Sequence, residues 1–495
     1  MNTQTHVEPP PGQTPGQDGS GPETSRAAAA SSAGTGNTPA RTRLLWSLAA
    51  AGLLASLVGG LTAGAPTLWG LLPIALYAVL CLLGMDIVVA TLVALLSGVL
   101  VLHPTPVEFS VLLGDSLADL VTMIGLIIML GAGVGEVLKK TGVATMIVRG
   151  VMRAVGENNP VAVIFGVMIS TGLLVASLGT LAGALAIAAP ILLPIAARLG
   201  FTRSATASMM FIGGCAGLAV APFAGSNVAI MSAAGVGYLD YLLYGAGPLA
   251  LLSLALGPFI VQWMQRRTEN TGDHYQADEA GVEDAAVPAR AGFTTIVFAL
   301  VLAASVAYAI VTAAGTAFPL LALPLIGIAT GLAGRLGITQ TMALMYKGAA
   351  SMVSMFILFW LLAALFIIID RLAPFDVVLG YFEVGLAGSS AFVFAVLIAL
   401  LGWVGVPGAT AAQVVLLHKV FGALGTSLGI TPASWIIILL FASKADTYGP
   451  FPNANMVGVM GLARSQNLKN MMITGWMLLI PACLMYGIML FIQTR

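Results

Sequence analysis

Long apolar runs alternate with short polar interruptions along most of the chain. Uninterrupted apolar windows fall at 44–63, 119–135, 160–178, 243–264, 293–313, 353–369 and 471–492. Each comes near the 20 or so residues that one helical crossing of a ~30 Å hydrocarbon core requires. With the less regular runs between them, the pattern predicts an all-α polytopic membrane protein of about 11–13 membrane segments. Residues 1–41 break the pattern: Pro, Gly, Ser, Thr and Ala with almost no large apolar side chains. Such a segment buries too little surface to offset its ordering entropy, and a disordered tail is expected. A second polar interval, 265–292, divides the apolar region into halves at 42–264 and 293–495, with repeat cores at about 119–264 and 353–492.

The halves share a plan. In the first, a crossing runs into "SLGTLAG" (177–183), then an apolar run to Gly200, another crossing, and "APFAGSN" (221–227). In the second, a crossing runs into "GVPGATAAQ" (405–413), an apolar run to Gly429, another crossing, and "GPFPNAN" (449–455). Asn227 and Asn455 lie 228 residues apart, and Thr180 and Thr410 lie 230 apart. Two separate landmarks at nearly one spacing indicate an internal duplication.

Irregular backbone at membrane depth is tolerated only inside protein or along a watery cavity. Pro222 and Pro450 each remove an N–H and disfavour helix in the preceding residue. The expected result is a broken helix in each half, restarting with Asn227 or Asn455 near its N-terminus, where amides and the dipole favour an anion. Ser177, Gly179 and Thr180, and Gly408, Thr410 and Gln413, place small and polar residues at the turns of two re-entrant hairpins. Hairpin tips meeting broken helices at the midplane is the plan of an inverted-repeat secondary transporter. Substrate contacts are therefore expected from these six residues and from Ser226, Asn227, Lys444, Asn453 and Asn455.

Composition narrows the picture. The chain is 59% hydrophobic and 8% charged, with a formal net charge of zero, so nothing electrostatic favours nucleic acid. Its three cysteines, scattered through apolar segments, form no disulfide framework or metal-ligand spacing. Arg41 and Arg43 before the first apolar run, and Arg266, Arg267 and Arg290 in the central interval, put the N-terminus and linker in the cytoplasm. No phosphate-binding "GxxxxGK[ST]" is present, so ATP is not the direct fuel. No Ser–His pair, aspartyl pair or His-Glu-x-x-His string suggests an intramembrane enzyme.

Charges inside apolar segments are costly and mark pathways or partners. Lys444 and Asp446 stand in "FASKADTYGPF", where Lys444 is expected to attract an anion and Asp446 to carry H+ or Na+. The matching first-half stretch, "GGCAGLAVAP", is uncharged, so the site is chemically asymmetric. His418 is a candidate proton relay or a polar residue at a hairpin exit. "GEVLKKTGVATMIVRGVMR" reads as an interfacial amphipathic helix.

These strings resemble the ion transporter superfamily, whose carriers have two inverted repeats, each with a hairpin and a broken helix. The gluconate permease family is the nearest in layout, with the dicarboxylate and Na+/H+ antiporter branches beside it. The resemblance rests on "GLAVAPFAGSNVAIMSAAGVGYLDYLLYGAGPLALL" (217–252), on "FASKADTYGPF" (441–451) and on "LARSQNLKNMMITGW" (462–476). It implies secondary active transport of a small organic anion, a carboxylate or hydroxy acid, coupled to H+ or Na+. It also implies a multi-pass protein of the bacterial inner membrane, often a homodimer, with no cofactor beyond a coupling Na+. The alternative within transport is an Na+/H+ antiporter or other ion exchanger without an organic substrate.

Overall fold

The computed structural model describes residues 39–156, 159–276, 287–374, 377, 390–404 and 410–494. The first half contains α1 (Pro39–Thr62), α2 (Leu72–Leu82), α3 (Ile87–Leu102), α4 (Pro106–Ser116), α5 (Leu120–Thr141) and α6 (Val143–Val155). It continues through α7 (Pro160–Leu178), α8 (Leu181–Arg198), α9 (Arg203–Val220), α10 (Gly225–Ala234) and α11 (Tyr238–Thr268). The second half opens with α12 (Ala291–Thr312), α13 (Pro319–Ala333), α14 (Ile338–Ala350) and α15 (Val353–Leu372). It ends with α16 (Ala391–Leu401), α17 (Thr410–Ser427), α18 (Pro432–Thr447), α19 (Ala454–Leu462) and α20 (Leu468–Gln493). Among the described residues the one extended pairing is an isolated bridge between Thr202 and His274.

Among the described residues, eight helices are long and apolar enough to cross a membrane, or up to nine if the bent pair α9–α10 is one span. The larger number expected from sequence arises from shorter apolar helices of 10–17 residues, such as Ala391–Leu401 and Pro432–Ser443. Helix starts follow local chemistry. Asp119 and Asn159 accept from the amides of Val121 and Val161 at the starts of α5 and α7, each satisfying a donor that the helix leaves orphaned.

The helices sort into two packed groups. α5 packs against α13, α14 and α15, α15 packs against α3, and α3 receives α1 and α2. In the other group α9 packs between α7 and α11, and the half-helices are exchanged. α10 of the first repeat lies on α17 of the second, while α19 of the second lies on α8 of the first. α9 and α18 begin at 203 and 432, α10 and α19 at 225 and 454, and the left-handed glycines Gly200 and Gly429 follow the hairpin helices. Each pair is 229 residues apart (432 − 203, 454 − 225, 429 − 200). This register falls between the two sequence spacings and matches Asn227 with Met456 and Thr410 with Leu181.

Apolar contact alone gives little drive to helix association in lipid, where small residues and buried hydrogen bonds supply it. Ser208 and Thr474 are 2.8 Å apart, Asn470 Nδ2 donates to Ser204 Oγ at 3.0 Å, and the Ser253 and Tyr448 hydroxyls are 2.7 Å apart. All six residues are buried, and each bond joins one repeat to the other. The α7–α9 crossing uses bare backbone: a methyl on Gly217 would overlap the Gly172 carbonyl, and one on Gly213 the Met168 carbonyl. Gly217→Ala should therefore force the helices apart and cost about 1–3 kcal/mol, read as a lower melting temperature of the purified protein. An unchanged melting temperature would mean the crossing has slack.

Candidate functional site

α9 ends at Val220, two residues before Pro222, and α10 restarts at Gly225 with the axis bent by 41°. The last turn of α9 leaves carbonyls without helical partners. The two N–H groups of Asn227 Nδ2 are shared among three carbonyls at this end: Leu218 O at 2.8 Å, Ala219 O at 3.1 Å and Ala221 O at 2.8 Å. Tyr241 Oη donates to Ala219 O at 2.7 Å and Tyr238 Oη to Val220 O at 2.5 Å. Asn227 thus does not cap α10, as its position after the break suggests. Its amide folds back to close the end of α9, and the N-cap of α10 is Ala224, without a side-chain bond. The two tyrosines escape sequence reasoning. They lie in the "GYLDY" string well beyond the break, and only the α10–α11 turn returns them to it.

The first hairpin tip meets this break. Gly179 adopts the left-handed conformation (φ 67°), and a Cβ there would lie 3.4 Å from Ala224 Cα. Thr180 is the N-cap of α8 without a side-chain cap bond, while the Ser177 hydroxyl donates to Leu173 O within α7 at 2.7 Å. In the second hairpin, Gly408 lies outside the described residues. Gln413 Nε2 donates to the carbonyl of Gly402, and Gln413 is buried, so its donor serves the hairpin's own fold.

Ser226 and Asn227 of the first break meet Thr410 of the second hairpin in a small pocket. Leu218 and Ala219 close it from the end of α9, and Ser443 and Thr447 from the end of α18. Its volume is about 20 Å³, room for one water or one bare alkali cation. The polar side chains that line it carry oxygen: four hydroxyls and the Asn227 amide. The Ser443 hydroxyl donates to Leu440 O at 2.9 Å, which leaves its lone pairs as the groups available to a ligand. Two helix C-termini end on the pocket, and a C-terminus carries partial negative charge. Ser443 and Thr447 flank the charges that attract attention in the sequence; their spacing of four, one face of a helix, is the signal that would have found them.

The second break spans 448–453, wider than the first. Asn453 is the N-cap of α19, with Oδ1 accepting from Met456 N at 2.9 Å. Asn453 is buried, and its Nδ2 has no hydrogen-bond partner. Asn455 follows, half-buried, at the second position of α19. Lys444 and Asp446 lie in the last turn of α18, and their side chains lie outside the described residues. His418 Nδ1 accepts from the Trp435 indole at 3.0 Å, tying α17 to α18. Lys419 pairs with Asp370 at 2.6 Å, joining α17 to the end of α15.

The half-helix after each break is thus seated on a helix of the other repeat, α10 on α17 and α19 on α8. A model of the Na+/H+ antiporter family matches residues 41–261, a little under half the chain. Among solved structures, the Alcanivorax borkumensis YdaH transporter is similar with a TM-score of 0.56 and 17% identity, over 77% of this chain and 87% of that one. Neisseria gonorrhoeae MtrF, described as illuminating a class of antimetabolite efflux pumps, is similar with a TM-score of 0.51 and 16% identity, over 94% and 97%. At these identities the likeness is one of fold. No curated protein matches the sequence.

Proposed function

We propose that the protein is a secondary active transporter that moves a small organic anion together with Na+. The observation that carries this reading is the oxygen-lined pocket where the first break meets the second hairpin. Hard cations favour oxygen ligands, and in broken-helix carriers helix C-termini and unwound carbonyls hold the coupling ion. The second break offers the complementary chemistry. The N-terminus of α19 and the unpartnered Asn453 Nδ2 are donors suited to a carboxylate, with Asn455 two residues on as a further contact and Lys444 as the attracting charge. The protein sits in the bacterial inner membrane with its linker in the cytoplasm. Lys139, Lys140, Arg266, Arg267, Arg290 and Arg335 support that orientation. They mark helix ends that gather with the linker on one side, as where Gly142 abuts Pro288 and Gly334 abuts Thr141.

A second reading, cation exchange without an organic substrate, is favoured by the family match at 41–261 and assigns the ion to Asp446. Reconstitution in proteoliposomes separates the two. An inward Na+ gradient should drive accumulation of a labelled carboxylate from a panel of hydroxy acids and dicarboxylates. Na+-driven proton movement with no carboxylate transported would select the exchanger. Because one structural neighbour is described as an efflux pump, the gradient is to be applied in both directions.

A further inference from the structure

The twofold plan predicts a second ion pocket, the mate of the first, where the second break meets the first hairpin. The 229-residue register (432 − 203, 454 − 225) names its lining. Leu181 stands for Thr410, Gly214 for Ser443, Leu218 for Thr447, Met456 for Asn227 and Asn455 for Ser226, while Thr447 and Tyr448 stand for Leu218 and Ala219.

The side chains at these positions occupy the space. A Cβ on Gly214 would lie 2.5 Å from Leu181 Cδ1, so Leu181 fills the place that Ser443 and Thr410 leave open in the other half. Leu181 and Met456 are both buried, and the Met456 methyl lies against Gly475, 2.5 Å from where its Cβ would be. Three hydroxyls and an amide have become two leucines, a glycine and a methionine. Of the oxygens that remain, the Tyr448 hydroxyl is bonded to Ser253 and Thr447 lines the open pocket. A thioether and alkyl groups cannot make up the water shell of a hard cation, and losing that shell with too few oxygen partners is prohibitive.

We infer that the protein binds a single cation per chain, in the pocket of Ser226, Asn227, Thr410, Ser443 and Thr447, because its symmetry mate is filled by Leu181 and has methionine in place of the Asn227 amide. This rests on reading the open pocket as a cation site. The duplicated backbone has thus been assigned two different tasks, one break for the cation and the other for the anion.

The test is the stoichiometry of Na+ binding to the purified full-length protein, by equilibrium binding of radioactive Na+ and by calorimetry, with choline holding ionic strength constant. One Na+ per chain, with a Hill coefficient of about 1 for the Na+ dependence of uptake, is expected. Two Na+ per chain would overturn the inference while leaving the cation pocket in place. No saturable Na+ binding would overturn the pocket reading and the inference with it.

Discussion

Asn227→Leu should be among the most damaging single substitutions in the transport core, and the damage should be to the fold before the ligand. Leucine keeps asparagine's branching at Cγ but is larger, so the change removes the donors and crowds the buried site as well. Three carbonyls, now bonded at 2.8, 3.1 and 2.8 Å, lose the Asn227 amide in a buried site. Tyr241 still serves Ala219 O, while Leu218 O and Ala221 O keep only long bonds of 3.4 Å from Ala221 N and Ala224 N, so these two bear most of the loss. A poorly satisfied buried acceptor costs about 1–3 kcal/mol, and two such losses sum to a substantial part of the ~5–15 kcal/mol by which proteins are usually stable. The expected result is little folded protein in the membrane, or a melting temperature lower by several degrees. Tyr241→Phe removes one donor to one of the same carbonyls and should cost about 1 kcal/mol. A melting temperature for Asn227→Leu equal to that of Tyr241→Phe would show that water or a backbone shift replaces the clamp.

That distinction bears on what the residues alone could reveal. Pro222, Pro450 and the asparagines after them announce the breaks, because proline chemistry is local and acts wherever the chain places it. The direction in which Asn227 points is not local. It depends on the 41° bend, which brings the end of α9 within reach of a side chain on α10. The tyrosines at 238 and 241 are further still from the break in sequence and reach it only through tertiary packing. Charge drew attention to Lys444 and Asp446, yet the described pocket wall in the same turn is built from Ser443 and Thr447. Neutral hydroxyls are too common in membrane helices to stand out until a structure sets several around one cavity. The repeat behaved similarly. Spacings of 228 and 230 bracketed the register, but a shift of one residue is enough to pair Asn227 with Met456 rather than Asn455, and with it the two halves change from equivalent to complementary.

Removing two pocket hydroxyls should separate the candidate ion sites. Ser443→Ala with Thr447→Val changes little volume and leaves the backbone of α18 able to form its own bonds, so the variant should fold and reach the membrane as the parent does. If both oxygens hold the cation, each is worth about 1–2 kcal/mol as a lost contact to a charge. Tenfold in affinity corresponds to about 1.4 kcal/mol, so the pair should raise the Na+ dissociation constant about 100-fold. The carboxylate site at α19 is built from other groups, so substrate affinity at saturating Na+ should move much less. Asp446→Asn gives the opposite pattern if the carboxylate is the ion site: Na+ or pH dependence lost while Ser443→Ala/Thr447→Val remains normal. The comparison is decisive because the substitutions occupy the same turn of α18 and share any general effect on its packing. An unaltered Na+ affinity in the double variant would remove the cation from the pocket and return the coupling ion to Asp446.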